Sequence, residues 1–523
     1  MTSQVSELVK LPRELLDNVA SSLPTQDFNS LRLACKELEA KAFPYWANCF
    51  FKKRQFMIDQ FSLQTLVDIS QHDALSKVVS HLIIGFDEFR AFNLDRAFTS
   101  AAQHLQPLAE FDRWRSADCT QRALLYGGGA VDLLSRALAN MPNLRTIDLR
   151  DFNSPTRYRD AVPGTPVPQW RSYGSSHYQQ WPRENHWLLS VNRPSNFADT
   201  VFLVVLTAVG RCSTTGVRSL EVIFRNHHFA LGDDAFGLSG VPGNQLAAAL
   251  RGLTKLHLDL SSYCPHLSGL SHVQETMPKR DFFDPTTTHF RRFLGLTPSI
   301  TWLRLNFYPN VGAQRSSPSK LIAWLGLEPN SIPPPNMPWG PGNPAPVTLP
   351  LRRLDLGNVK TSPLILRRLL KKFADLECVS IRDICLRDAE ATSDSHESDT
   401  EDNDDCLWAR FIRNLHATNQ NIKKVELSRL MEETSRGSNT IVFCNEAVPS
   451  EYTVFASIQI TDTASLKRLA DNTWTDIRWH KSQGLGDGDM VDEDGEIDVD
   501  SELDTDGDSE GLSEDDGNSE DDQ

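Results

Sequence analysis

Metal-binding and nucleophilic side chains are plentiful in this chain, but their spacing is poor for chemistry. Zinc sites need Cys or His ligands at short, regular intervals. The closest approaches to such a set are Cys264-Pro265-His266, His227-His228, and Cys378 with Cys385. None has zinc-finger spacing, and we find no nucleophile elbow, metalloprotease helix or kinase signature. The residues therefore predict a protein with no metal site, no cofactor and no catalytic site of its own.

Two glycine-containing segments invite a ligand-binding interpretation. Gly127-Gly128-Gly129 is not followed by the Lys-Ser/Thr of a phosphate loop, so it predicts a flexible entry to a helix that begins near Ala130. Gly507 suits the sixth position of a calcium loop, but this alignment places Ser513 where a bidentate Glu is needed. Neither segment predicts a bound ligand.

Residues 8–51 carry more apolar surface than two short helices can bury between them. One stripe, on a helix that starts at Pro12, consists of Leu15, Leu16, Val19 and Leu23; a second consists of Phe28, Leu31, Ala34, Cys35 and Leu38. Their spacing of three and four residues places each stripe on one helical face. So small a unit has little interior. The surplus either contacts a partner or packs on the remainder of the chain.

The residue types in this segment resemble a known motif. Leu11-Pro12-x-Glu14-Leu15-Leu16, Leu23, Asp27-Phe28 and Leu31-Arg32-Leu33-Ala34-Cys35-Lys36 are similar to the F-box in order and spacing, departing at Ala34, where a larger β-branched residue is usual. The resemblance implies a three-helix module that binds a Skp-type adaptor and, through it, a cullin. The implied adaptor-binding residues are Leu11, Pro12, Leu15, Leu16, Val19, Leu23, Phe28, Leu31, Ala34 and Cys35.

Composition limits the partners and the compartment. The 523 residues carry a net charge of −16, but residues 482–523 hold 19 acidic and no basic residues. The rest has 50 acidic against 53 basic residues, which gives no basic surface of the kind that nucleic acids bind.

Nine cysteines without a CxxC pair favour a reducing compartment. Residues 1–10 lack a secretory core, and the most apolar run, 201–209, is shorter than a membrane span. We expect a cytoplasmic or nuclear protein that binds neither nucleic acid nor membrane.

One short apolar pattern recurs from residue 79 onward. It is an apolar residue, two variable residues, an apolar residue, one variable residue and a final apolar residue. It occurs at Val79-Leu82-Ile84, Leu144-Ile147-Leu149, Val217-Leu220-Val222, Leu253-Leu256-Leu258, Ile300-Leu303-Leu305, Leu351-Leu354-Leu356, Leu376-Val379-Ile381 and Ile422-Val425-Leu427. Because its last two apolar positions alternate with polar ones, each occurrence predicts a strand buried on one face.

Helical patterns precede most of these strands. They cover Ala130 to Ala139, Gln245 to Leu250, His289 to Leu296, Leu364 to Phe373 and Leu407 to Leu415. Strands joined through helices run parallel, and repetition of one such unit favours a solenoid. The pattern resembles a leucine-rich-repeat array, although the repeats start 25 to 73 residues apart and lack the Asn or Cys that usually follows the strand.

The predicted fold is therefore α/β. An N-terminal three-helix F-box-like module precedes an irregular leucine-rich-repeat-like solenoid of parallel strands and helices, and a disordered acidic tail follows it. The expected divisions are the module at 8–55, a helical linker at 56–78, the repeat domain at 79–480 with loops at 153–196, 331–350 and 388–405, and the tail at 482–523.

By this resemblance, the chain would be the non-catalytic substrate-recognition subunit of an SCF-type cullin-RING ubiquitin ligase. An unidentified target protein would lie on the polar strand face, between the apolar positions. The candidate target-binding residues are Asp148, Arg150, His257, Asp259, Arg304, Asn306 and Asp355. The alternative is a non-ligase interaction scaffold, whose F-box-like helices bind the adaptor without cullin or only cap the solenoid. A cap would pack Leu15 and Leu16 on the repeats, whereas a receptor would leave them exposed.

Overall fold

The helices and strands that the structure describes lie within residues 1–153 and 168–482, which form one unit. The computed structural model describes residues 7–89, 108–152, 172–174, 197–212, 216–225, 230–238, 243–261, 287–308, 318–332, 339–340, 343–387, 407–434, 437–444, 454–455, 457–460 and 477–481. The predicted tail 482–523, the loop 388–405 and most of the loop 153–196 lie outside these residues. So do residues 333–338 and 341–342 of the predicted loop 331–350.

Fourteen α-helices occur in the described residues, with one 3-10 helix at Asp233–Phe236. They are α1 (Glu7–Lys10), α2 (Arg13–Ser22), α3 (Thr25–Leu33), α4 (Lys36–Phe51), α5 (Gln60–Gln71), α6 (Leu75–Val78), α7 (Leu108–Tyr126), α8 (Gly129–Ala139), α9 (Phe197–Arg211), α10 (Gly243–Leu250), α11 (Thr288–Gly295), α12 (Pro318–Leu325), α13 (Pro363–Lys372) and α14 (Leu407–Thr418).

The strands form two sheets. They are β1 (Lys53–Met57), β2 (His81–Gly85), β3 (Thr146–Arg150), β4 (Ser219–Ile223), β5 (Lys255–Ser261), β6 (Trp302–Tyr308), β7 (Arg353–Gly357), β8 (Lys360–Thr361), β9 (Cys378–Arg382), β10 (Cys385–Arg387), β11 (Lys424–Ser428), β12 (Met431–Thr434), β13 (Gly437–Cys444), β14 (Val454–Phe455), β15 (Ser457–Ile460) and β16 (Ile477–Lys481). The larger sheet has the order β1-β2-β3-β4-β5-β6-β7-β9-β11-β15. Its first nine strands run parallel, and β15 pairs antiparallel with β11.

All eight predicted strands are confirmed, as β2 to β7, β9 and β11. Their apolar positions align across the sheet: Leu82 pairs with Ile147, and Ile84 with Leu149. The same register continues to β11, so the apolar residues form continuous buried rows. Burial of these rows is the main stabilising contribution that one face of the sheet makes.

Helices cover the apolar face. The five predicted helices are confirmed as α8, α10, α11, α13 and α14. Neighbouring helices α5, α8, α9 and α10 pack side by side, as do α12, α13 and α14, and their apolar residues join those of the strands in one core. The apolar run 201–209 belongs to α9, most of whose residues are buried in this core. A mixed α/β fold with a large parallel sheet is thus observed.

The predicted helical linker at 56–78 is wrong at its start. Residues 53–57 form β1, which pairs in parallel with β2 and extends the sheet toward the N terminus. Phe56, Met57 and Ile58 are spaced as well for a helix as for a strand, and only pairing with β2 decides between the two. The helix α5 begins after Asp59, whose carboxylate accepts hydrogen bonds from the backbone N–H groups of Phe61 and Ser62.

A tight turn follows three successive strands of the large sheet. Asn358, Asp383 and Arg429 each lie one residue after a strand and adopt positive φ angles of 57°, 53° and 49°. Each turn leads into a short strand, β8, β10 or β12, and these three strands pair in parallel in the second sheet. The recurrence of one turn at one place is a structural repeat that the apolar pattern alone did not predict.

Candidate protein-interaction surfaces

The N-terminal helices enclose a small core of their own. Leu16 and Ala20 from α2, Phe28 from α3, and Leu38 and Ala42 from α4 form a buried cluster that is separate from the core of the sheet. The Phe28 ring lies 5.7 Å from that of Tyr45 and 6.5 Å from that of Phe50. These contacts fix the angles between the three helices, so the outer face of α2 is held in place by packing behind it.

Polar contacts at the margin of this small core hold its ends together. Lys41 Nζ donates hydrogen bonds to the carbonyl oxygens of Val9 and Leu11, at 2.5 and 3.0 Å. The Arg32 guanidinium lies 3.6 Å from the centre of the Trp46 ring, and Trp46 Nε1 donates to Asn29 Oδ1 at 3.1 Å. A cation over an aromatic face of this kind is worth about 0.5–1 kcal/mol at an exposed site.

Exposed apolar residues lie on the outer face of α2 and in the segment before it, and we define Leu8, Pro12, Leu15 and Val19 as the exposed apolar stripe. Leu15 is 50% exposed, Leu8 38% and Val19 37%, and Pro12 is also exposed. Leu15 and Val19, four residues apart, lie on one face of α2, whereas Leu8 belongs to α1 and Pro12 is the residue immediately before α2. A contiguous exposed apolar patch on a soluble protein often marks a contact with a partner.

The ten residues predicted to bind the adaptor divide by exposure. Pro12, Leu15, Val19, Ala34 and Cys35 are exposed, and Leu11, Leu23 and Leu31 are half-buried. Leu16 and Phe28 are both 0% exposed. The prediction that Leu16 and Phe28 contact the adaptor directly is therefore wrong for this conformation. Both side chains point into the small core and pack behind the exposed stripe.

A second candidate surface is the polar face of the large sheet. Polar and charged residues align there in rows, such as Asp148, Glu221, His257, Arg304 and Asp355 on neighbouring strands. Of the seven predicted target-binding residues, five are buried: Asp148, Arg150, His257, Asp259 and Asp355. Only Arg304 and Asn306 are partly exposed. The prediction that these seven form one exposed surface is wrong, since over β3 to β5 the polar face is as buried as the apolar one.

Several buried charges on this face form ion pairs. Arg150 forms an ion pair with Asp148, whose carboxylate also contacts His81 Nε2 at 3.2 Å. Glu221 lies 3.2 Å from Lys255 Nζ and accepts a hydrogen bond from Ser219 at 2.7 Å. Burial acts to raise the pKa of the Glu221 carboxyl. The contacts with His257, Lys255 and Ser219 outweigh burial and hold this pKa well below its ordinary value. These groups therefore serve as internal pairs that stabilise the sheet.

Asp259 is a buried carboxylate with a perturbed pKa. Its Oδ2 accepts a hydrogen bond from the Phe224 N–H at 2.7 Å, and its Oδ1 accepts one from Asn306 Nδ2 at 3.1 Å. Burial raises the pKa of Asp259 to about 6, although the charge of Arg304 and these two hydrogen bonds act to lower it. Asp259 is therefore close to gaining a proton under mildly acidic conditions.

This pKa predicts a pH effect on stability. The folded chain holds the Asp259 proton up to a pH of about 6, whereas the unfolded chain releases it near the ordinary value of 3.8. The stabilising contribution of Asp259 is thus complete below the ordinary value and is lost as the pH rises through 6. Lowering the pH from about 7.5 to about 5 should raise the unfolding free energy of the wild type by about 1 kcal/mol relative to that of Asp259→Asn. Urea unfolding of both proteins at the two pH values measures this. If wild type and variant differ by the same amount at both pH values, the prediction is contradicted.

The polar face opens toward the C-terminal side of the sheet. Along β6, β9 and β11 every second residue is partly exposed, which places Trp302, Arg304, Asn306, Ser380, Arg382, Lys424 and Glu426 at the surface. We call this region the open sheet face. The Trp302 ring lies 4.2 Å from both Lys255 Nζ and the Arg353 guanidinium, and Trp302 Nε1 donates to Asp355 Oδ2 at 2.7 Å. Trp302 is thereby fixed at one margin of this face.

No family model matches the chain, and no curated protein matches it in sequence. The two surfaces are therefore interpreted from their own geometry.

Part of the open sheet face was not predicted from the sequence. The residues that were not predicted to bind a target are Trp302, Ser380, Arg382, Lys424 and Glu426. Ser380, Arg382 and Glu426 occupy the same variable positions of the apolar pattern as the predicted residues, in the strands that come last along the chain. Trp302 and Lys424 occupy the position before the second apolar residue, which the prediction did not use. Applying the positional rule to every strand would have found the first three, but only burial separates the open part of the face from the covered part.

The remaining sequence motifs have a structural role where the structure describes them. Gly128 has a φ of 80° and immediately precedes α8, in agreement with a predicted helix entry at this glycine triplet. Cys264, His266, His227 and His228 lie outside the described residues. Burial raises the pKa of the Cys378 and Cys385 thiols. In the described ranges, no group of three His, Cys, Asp or Glu residues could hold a metal ion, and no helix is long and apolar enough to cross a membrane.

Proposed function

We propose that this chain is the substrate-recognition subunit of an SCF-type ubiquitin ligase. The observation that carries the proposal is the exposed apolar stripe, formed by Leu15 and Val19 of α2 with Leu8 and Pro12 before it, and backed by a core that belongs to the N-terminal helices themselves. Together with the F-box-like order of residues 11–36, this stripe supports binding to a Skp-type adaptor. The chain would supply no chemistry, and the reaction would depend on holding a target near a ubiquitin-loaded partner.

The size of the stripe suits a protein contact. Fully burying a Val or Leu side chain is worth about 1.5–3 kcal/mol. Because Leu15 is 50% and Val19 37% exposed in the free chain, burying the remaining surface of both would contribute about 1–3 kcal/mol to the adaptor complex, and Leu8 and Pro12 would enlarge the contact. Leu11, Leu23, Leu31, Ala34 and Cys35 retain exposed surface beside the stripe and would form its margin.

The target would bind on the open sheet face. We infer that the sheet belongs to an irregular leucine-rich-repeat-like solenoid. This is supported by strands that pair in chain order and by the turn repeated at Asn358, Asp383 and Arg429. This assigns the target to β6, β9 and β11, where the polar side chains reach solvent.

The cap alternative has less support than adaptor binding. A cap requires Leu15 and Leu16 to pack on the sheet, but Leu15 is half exposed and Leu16 lies in the separate N-terminal core. Contacts between the two parts run through α4, which touches β1 and α6, and through the Phe43 ring, 6.0 Å from His72. The face of α2 that carries the stripe is left exposed.

Co-expression of the full chain with a Skp-type adaptor and a cullin tests the proposal. We expect the chain to co-purify with the adaptor and, in the presence of both, with the cullin. Binding of adaptor without cullin would favour the non-ligase scaffold. A chain that is folded by circular dichroism yet fails to bind the adaptor would overturn the proposal.

A further inference from the structure

Basic side chains are concentrated on the outer surface of α13 and α14. Neither of these helices contains an Asp or a Glu. Leu364, Arg367, Arg368 and Lys371 occupy positions i, i+3, i+4 and i+7 of α13, which lie on one helical face. With Arg410 of α14 they form what we call the basic helix surface. Leu364 is 54% exposed, Arg368, Lys371 and Arg410 are exposed, and Arg367 is half-buried.

Four positive charges meet on this surface with little to offset them. Helix α13 packs beside α14, and burial and the positive charge of Arg410 both lower the pKa of Arg367. Lys371 follows Arg367 by four residues, and like charges at this spacing repel each other. The next acid along the chain is Asp375, which lies beyond the end of α13, and the acidic residues 388–405 lie outside the described residues. Asp375 would offset at most one of the four positive charges.

Basic side chains close to this surface are held by partners. Lys423 Nζ lies 3.4 Å from a carboxylate oxygen of Glu377. Lys372, the last residue of α13, donates hydrogen bonds to the carbonyl oxygens of Leu325 and Val347, at 2.9 and 2.7 Å. In the described ranges, by contrast, none of the four cations of the basic helix surface forms an ion pair or a side-chain hydrogen bond. This surface can therefore accept an anionic ligand without breaking a bond within the chain.

We propose that the basic helix surface binds a short acidic segment of a partner protein, with an apolar residue of that segment against Leu364. Guanidinium and ammonium groups form charge-assisted hydrogen bonds with carboxylates, and guanidinium does so with paired donors. The ten residues of α13 extend about 15 Å, which matches about three turns of a partner helix or about five residues of an extended segment.

Two observations favour a protein over a nucleic acid as the ligand. The exposed side chain of Leu364 offers an apolar contact, which a phosphate backbone does not use. The whole chain also carries a net charge of −16, which repels a long polyanion more strongly than a short acidic peptide. Because α13 covers the apolar face of the sheet, this surface is separate from the open sheet face and from the exposed apolar stripe. The inference goes beyond the proposed function and does not depend on it.

Retention of the full chain on peptide beads tests this inference. The first pool of peptides would carry Asp and Glu around a central Leu, the second would have Ser in place of Leu, and the third would have Asn and Gln in place of the acids. We expect at least tenfold more chain on the first pool than on the third, with the second in between. Raising the salt from about 0.1 M to about 1 M should release the chain, because it shortens the screening length from about 10 Å to about 3 Å.

Variants assign the retention to the basic helix surface. The triple variant with Arg368→Gln, Lys371→Gln and Arg410→Gln should reduce retention on the acidic Leu pool at least tenfold. The matched control replaces three exposed basic residues elsewhere and should be retained as wild type; its changes are Lys77→Gln, Arg136→Gln and Arg251→Gln. Both variants lose three positive charges, so only the position of the charges differs.

The following outcomes would overturn the proposal. Equal retention by the acidic and neutral pools would show that acids are not recognised, and equal losses in the two triple variants would show that only net charge matters. Retention on duplex DNA beads as strong as on the acidic Leu pool would assign the surface to nucleic acid. No retention on any pool would leave a second copy of the chain or the acidic residues 482–523 as candidate occupants. Adaptor co-purification of the same variants keeps these failures distinct from failure of the proposed function.

Discussion

Replacement of Asp148 with alanine is expected to lower the free energy of unfolding by about 3–5 kcal/mol, because it removes the carboxylate beside a buried guanidinium. Asp148 is 0% exposed and Arg150 1%. Burial lowers the pKa of His81, against the opposing effect of Asp148, so His81 is a weak source of positive charge near neutral pH. The Arg150 cation is therefore the main ionic partner of Asp148, and moving this cation to water would require the sheet to open.

Urea unfolding of the variant beside wild type measures the loss. Asp148→Asn, which keeps the shape and one acceptor but not the charge, should lose less than Asp148→Ala. The matched control is Asp132→Ala, because Asp132 and Arg211 form an ion pair at 2.7 Å with side chains 70% and 49% exposed. Exposed pairs contribute about 0–1 kcal/mol. Equal losses for Asp148→Ala and Asp132→Ala would show that the buried pair is not a principal source of stability.

The second large effect concerns the exposed apolar stripe. Leu15→Asp with Val19→Asp should weaken adaptor binding at least 100-fold, since each carboxylate would replace apolar contact area and lose its water at the interface. The fold should persist, because both side chains already contact solvent in the free chain. Titration of labelled adaptor onto wild type and variant measures the change.

Two further variants separate binding from folding. Leu364→Asp places the same charge on an exposed leucine of α13, away from the N-terminal helices, and should leave adaptor binding unchanged. Leu16→Asp puts the charge inside the small N-terminal core, so it should disrupt α2 to α4 and reduce binding indirectly. Undiminished adaptor binding by the Leu15/Val19 variant would refute the stripe as the contact.

The strands of the large sheet were predictable because their signal is local. Each apolar pattern repeats one alternation within six residues, and burial on one face of a strand imposes that alternation regardless of what lies further along the chain. Leu303 and Leu305 illustrate this: both positions were chosen from spacing alone, and both are fully buried. The helices before these strands were predictable for the same reason.

Strands that depend on distant pairing partners were harder to predict from the sequence. The strand β1 exists because β2, whose paired residues lie 28 positions later, supplies its hydrogen-bonding partner. The strands β8, β10 and β12 are too short to show a period, and they form because the turns at Asn358, Asp383 and Arg429 align them. Such pairing is a property of the assembled sheet, so a short window of residues contains little signal that predicts it.

Residue order alone was enough to predict the eight repeated strands, the helices that accompany them and the amphipathic character of residues 8–51, because burial on one face imposes a periodic choice of residues. Which side chains reach solvent depends on the folded chain. Folding buries Leu16 and leaves Leu15 exposed, and it covers Asp148 and His257 while leaving Arg304 and Arg382 accessible. The physical reason is that period places a residue on a face, whereas exposure depends on what packs against that face, and distant parts of the chain supply that packing.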